Sequence, residues 1–130
     1  MGILADFDFE NLPETSAVQE GEYEGIIVDA GEHTGKTSGK TSIRVVLDLP
    51  GEANAETIYH YLSLPTPDDD EKARNRKLRR IKEFLQAFGL SQQEDYADWI
   101  GHKAWALVGV EEDQQTGQPR NIIKRFLASN

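Results

Sequence analysis

The sequence predicts an all-β domain with one helical connection: a five-stranded Greek-key barrel whose helix lies between the third and fourth strands. Two observations predict it. Runs of alternating apolar and polar residues recur at period two, three before Pro65 and two after Gly101, and residues 68–88 between them change to a helical period. At 130 residues the chain suits one ordinary core.

Residues 1–20 form an acidic arm ahead of a domain at 21–130. The arm combines acids, Pro13 and the spaced apolar residues Phe7, Phe9 and Leu12 without a sustained period. The two phenylalanines are expected to pack on the domain, because buried aromatics dominate packing. The alternative is an acidic-aromatic peptide that recruits a partner.

Glu22 to Ala30 reads as the first strand, with β-branched density and Gly31 at its exit. The stretch AGEHTGKTSGKTS, Ala30 to Ser42, then satisfies a loose phosphate-loop pattern. Such a loop must open a helix whose N-terminal amides face the phosphates. Here Thr37-Ser38-Gly39-Lys40-Thr41-Ser42 is poor helix material, and alternation resumes at Ile43. The expected structure is a hairpin loop carrying Lys36 and Lys40, and the nucleotide-hydrolysing reading loses its context.

On the second strand Ile43, Val45 and Leu47 point one way, and Arg44, Val46 and Asp48 the other. The third, Glu56 to Leu64, sets Ile58, His60, Leu62 and Leu64 against Thr57, Tyr59, Tyr61 and Ser63. With the aliphatic side inward, both tyrosines face out beside Arg44. Such rings offer every base a stacking surface, and neighbouring cations neutralise phosphates. Cross-strand pairing, or burial beneath the arm, is the equally open alternative for the pair. His60 reads as a packed histidine.

Asp68-Asp69-Asp70-Glu71 supplies a cap for a helix running to Phe88, with Gly89 as its left-handed stop. Leu78, Ile81, Phe84, Leu85 and Phe88 make its apolar stripe. Arg74, Arg76, Lys77, Arg79, Arg80 and Lys82 occupy the rest, expected as a solvated face, with a supplementary nucleic-acid or protein contact as the alternative. Ser91 to Ile100 suggests a second helix with a Ser91–Glu94 capping box. Lys103 to Glu112 and Arg120 to Leu127 complete the strands around a turn at Asp113–Gly117. Trp105 is more often core in such a position, yet it is retained as a candidate base-stacking ring. Lys124 and Arg125 are expected on opposite faces of the last strand, which leaves one for a ligand.

Three strands, a helix and two strands is the order of the OB-fold, which holds oligonucleotides or oligosaccharides on its strand 2–3 face and its 1–2 and 4–5 loops. The expected face carries Arg44, Tyr59 and Tyr61. The two loops carry Lys36, Lys40 and Arg120.

The net charge of −9 argues against indiscriminate polyanion binding, but its distribution is uneven. The first 35 residues hold nine acids and no Lys or Arg, whereas Lys72 to Lys82 hold seven of the fourteen basic residues. Local fields therefore outrank the total. With no cysteine, disulfides and thiolate metal sites are excluded. No apolar run approaches the ~20 residues needed to span a bilayer, and no signal-peptide core is visible. Asp6 stands where a myristoylation signal requires Ser or Thr. A cytoplasmic protein is expected, in the host cytoplasm if viral.

The stretch EGEYEGIIVDAGEHTGKTSGKTSIRVVLDL, the closing RNIIKRFL and the FDF of Phe7 to Phe9 resemble the phage proteins of the domain-of-unknown-function-669 group. The resemblance implies an OB-type barrel that binds single-stranded DNA. The sequence departs from the group in having Gln19-Glu20, without proline, before Gly21. It departs again in having no acids after Leu127, only Ala128-Ser129-Asn130. Tail-mediated partner recruitment is thus not expected, and the arm at Asp6 to Glu10 is the substitute for contacts with replication or recombination proteins.

The expectation is a sequence-tolerant single-stranded DNA binder without catalysis, cofactor or metal, either monomer or dimer. Tyr59, Tyr61 and Trp105 would stack bases, and Lys36, Lys40, Arg44, Arg120 and Lys124 would meet phosphates. The rival is an acidic DNA mimic that occupies a host DNA-acting enzyme.

Overall fold

The computed structural model describes residues 2–37 and 39–127. Its strands are β1 (Gly21–Thr34), β2 (Thr41–Asp48), β3 (Ile58–Ser63), β4 (Lys103–Glu112) and β5 (Pro119–Phe126). Between β3 and β4 lie α1 (Glu71–Phe88) and the single turn α2 (Tyr96–Trp99). Every pairing is antiparallel, in the order β3-β2-β1-β4-β5. The predicted OB-like architecture of five strands with a helix between the third and fourth is what forms. Its edge strands β3 and β5 meet through side chains, His60 against Phe126 at 5.1 Å between ring centroids. The sheet is thus curled but open along one seam.

The long, bent β1 makes the curl. Its first half, Gly21 to Ile26, pairs with β4, and its second half, from Ile26 to Thr34, with β2. The register slips between Ile27 and Asp29, so Val28 is an extra residue opposite β2. A bulge bends the strand that carries it and raises its twist. β1 also runs on to Thr34, past Ala30 where the sequence reading ended it, because Gly31 to Thr34 continue the ladder with β2.

Inside, Ile27, Val45, Leu47, Ile58 and Val108 are sealed from solvent, as period-two alternation requires. The last turns of α1 close the core with Phe84, Ala87 and Phe88. Phe84 lies 4.9 Å from Phe88, 5.3 Å from Trp99 and 5.4 Å from Phe126, ring to ring. Leu78, counted in the apolar stripe, is exposed, because only the C-terminal half of α1 reaches the sheet.

The predicted helix ends are present. The Asp70 carboxylate accepts a bond from the Ala73 amide at 2.7 Å, and Gly89 stops the helix at φ 68°. Asp69 accepts bonds from the Thr66 amide and the Lys77 ammonium, which hold its carboxyl below the usual range. The second helix is shorter than the expected Ser91–Ile100. The Glu94 carboxylate does accept the Ser91 amide, at 2.9 Å, but this bond closes a turn ahead of α2 instead of capping it.

The arm corrects another expectation. Phe7 and Phe9 stay exposed, and their rings meet each other at 6.5 Å. The arm is fastened further along, where Ser16 bridges to Ala55 and Val18 exchanges two bonds with the Asn121 side chain. Ile3–Asp6 forms a single exposed 3-10 turn. Ser38 in the hairpin loop, and the acid-free ending Ala128-Ser129-Asn130, lie outside the described residues. Among the described residues no helix is long and apolar enough to cross a membrane.

Candidate functional site

Pairing of β2 with β3 places Arg44 opposite Tyr61 and Val46 opposite Tyr59. Because Ile58 and Leu62 are drawn into the core, the intervening tyrosines must face out, and they are 56% and 48% exposed. The Arg44 guanidinium stands over the Tyr59 ring, 6.0 Å from its centroid. That is a cation–π distance, which pre-positions a positive charge beside a flat apolar surface. His33 joins from β1, its ring 5.4 Å from that of Tyr61. The sequence reading missed His33 because it ended the first strand before it. Continuing the alternation past Gly31 would have found it.

The hairpin loop between β1 and β2 borders this face. The Gly35 amide donates to the Lys40 carbonyl at 3.0 Å and the Gly39 amide to the Gly35 carbonyl at 2.9 Å, with Gly39 at φ 67°. No helix follows, so the backbone lacks the amide-lined helix start that a phosphate loop needs. Lys36 and Lys40 are both exposed. Lys36 makes no ion pair among the described residues.

The other predicted cations are differently placed. Arg120, at the start of β5, forms an ion pair with Glu111 opposite it on β4. The Glu111 carboxylate, then Asp113 and the Tyr61 phenol, hold its guanidinium pKa above the ordinary value. Lys124 pairs with Glu20 of the arm. Its stem crosses Gly109 of β4, where a Cβ would come within 2.6 Å of its Cε. The expectation that Lys124 and Arg125 alternate does not hold. Leu107 and Val108 pair with Arg125 and Ile123, so Lys124 is an extra, bulged residue, and both cations border the hollow between β3 and β5.

Trp105 is 53% exposed, against the expectation of core burial, because its neighbours Ala104 and Ala106 take the inward positions. It stands opposite Glu24 and shares a hollow with Glu22, Glu52 and Leu49. Among the described residues no ring contact joins Trp105 to the tyrosine pair, whose ring neighbours are Arg44 and His33. His60 is packed inward as expected. Its burial, and secondarily the charge of Arg80, push its pKa down to about 4, so the ring is neutral at physiological pH.

The molecule is thus a small OB-like domain with an exposed aromatic and cationic face on strands 2 and 3. The chain belongs to the family described as protein of unknown function (DUF669), whose profile matches residues 5–128. No curated protein matches it.

Proposed function

We propose that this is a sequence-tolerant single-stranded DNA-binding protein, phage-encoded, which protects or organises strands during replication or recombination. The observation that carries the reading is the outward Tyr59–Tyr61 pair with Arg44 over one ring, on the face where OB-type barrels hold oligonucleotides. Bases stack on the two rings, which have no means of telling one base from another. Arg44, Lys36 and Lys40 meet the phosphates. Arg120 and Lys124 join by exchanging their carboxylate partners for phosphate. Trp105, among glutamates, lies off the strand's path. No catalysis and no cofactor enter this function.

Stacking on an aromatic side chain contributes about 1–3 kcal/mol per base. Tyr59→Ala and Tyr61→Ala are each expected to weaken oligo-dT binding by that amount. Fluorescence titration measures it, and unchanged affinity in the double variant refutes the platform. The acid-flanked Trp105 and the acidic arm favour a second reading, a DNA mimic that occupies a DNA-acting enzyme. A low-salt gel shift separates the two: the binder retards single strands, whereas the mimic retards neither single nor double strands.

A further inference from the structure

Between β3 and β5 the sheet leaves a hollow of about 310 Å³, bordered by His60, Tyr61, Arg80, Lys124, Arg125 and Phe126. Three of these are cations in a protein of net charge −9, and Glu83 is the one acid beside them. The fold concentrates them by two devices. The bulge at Lys124 brings two consecutive basic residues to one rim, and α1 lays Arg80 along the other. Arg80 and Arg125 form no ion pair among the described residues, whereas Lys124 is held by Glu20. Tyr61 belongs both to the stacking platform and to the lining of the hollow.

We propose that this seam is a second subsite for single-stranded DNA. It takes one nucleotide of the strand as it leaves Tyr61, with the phosphate between Arg80 and Arg125. The inference rests on the proposed function and extends it from the outer face to the open edge of the barrel. The volume is at the lower end of the about 300–1,000 Å³ of ligand pockets, room for a nucleotide and not for a duplex. His60 stays neutral and packed on Phe126, so the floor of the hollow is uncharged beneath a charged rim. That pairing suits a base below and a phosphate above. The basic face of α1, expected from sequence to be solvated, thereby gains one member with a ligand.

The experiment titrates oligo-dT of about 16 nucleotides, the upper end of the span of one such barrel, into four proteins. These are the wild type, Arg80→Gln with Arg125→Gln, the control Arg76→Gln with Lys82→Gln, and Tyr59→Ala with Tyr61→Ala. The control removes the same charge from α1 outside the hollow. The seam pair is expected to bind about tenfold more weakly than the control. Its plot of log K against log salt is expected to flatten by about 0.7, the slope of one phosphate that is no longer neutralised. Arg80→Lys with Arg125→Lys restores most of the affinity, and thermal unfolding confirms that each variant is folded. If the seam pair and the control behave alike while the tyrosine variant fails, the subsite falls and the platform stands. A seam effect without a tyrosine effect has the reverse meaning. No retention by the wild type sinks both.

Discussion

Adjacent on β3, His60 and Tyr61 face opposite sides of the sheet, and their chemistry diverges accordingly. The His60 ring lies against Phe126, where burial and Arg80 lower its pKa from 6.5 to about 4. The unfolded chain binds a proton there near pH 6.5, and the folded one only near pH 4. Stability from this group is therefore fully present above pH 6.5 and is lost as the pH falls towards 4. Between pH 7 and pH 4.5 the loss is about 2–3 kcal/mol, at about 1.4 kcal/mol per pKa unit. Urea unfolding of the wild type and of His60→Gln at both pH values measures it, because carboxylate effects common to the two cancel. Parallel changes in the two proteins would refute the assignment. The face each residue takes was legible from period-two alternation alone. The partners were not: Glu111 on Arg120, Glu20 on Lys124 and the glutamates around Trp105 are cross-strand neighbours or residues distant in sequence, which depend on register.

At the level of elements, α1 was readable because its boundary signals are local. Asp70 takes the Ala73 amide, which has no partner inside the helix, and Gly89 adopts φ 68° while the Leu90 amide bonds the Leu85 carbonyl at 2.8 Å. Replacing Asp70 with Ala leaves that amide without its cap and is expected to cost about 1 kcal/mol. Gly89→Ala meets no atom within 4 Å, so its cost is the left-handed backbone alone, again about 1 kcal/mol. The two sites sit at opposite ends of an 18-residue helix, so the double variant should lose the sum. Chemical denaturation reads all three values, and a Gly89→Ala protein as stable as the wild type would show that the cap carries no strain. What the sequence hid were the bulges at Val28 and Lys124. Whether a residue is extra in a strand is a property of the pair, and the opposing strand lies far away in sequence. Bulge placement governs the site as well, since the slip at Val28 sets which β1 residues stand opposite Arg44 and the one at Lys124 lets its stem cross Gly109 to Glu20 while Arg125 pairs with Leu107.

For the whole molecule, strand order followed from counting elements, because three strands, a helix and two strands leave few topologies with short, uncrossed connections. The open seam did not follow. An edge strand alternates in the same way whether or not its outer side is bonded. Where ladder bonds do not join β3 to β5, side chains hold the edges: Phe126 reaches His60 across the seam, and Phe84 and Phe88 of α1 back it at 5.4 and 5.3 Å. Phe84 is fully buried and also touches Trp99, so one ring ties α1, α2 and β5 together. Phe84→Ala should therefore cost about 3–5 kcal/mol, the transfer and cavity terms of a buried phenylalanine, against a total of about 5–15 kcal/mol for a domain. Tyr59→Ala and Tyr61→Ala, whose rings lie outside, should leave the unfolding midpoint nearly unchanged while abolishing most stacking. The contrast is the test, because it separates the residues that close the barrel from those that use its surface. A Phe84→Ala protein within about 1 kcal/mol of the wild type would mean that the seam is held by other contacts. If the tyrosine variants instead unfold early, their rings cover the sheet and are not free to receive bases.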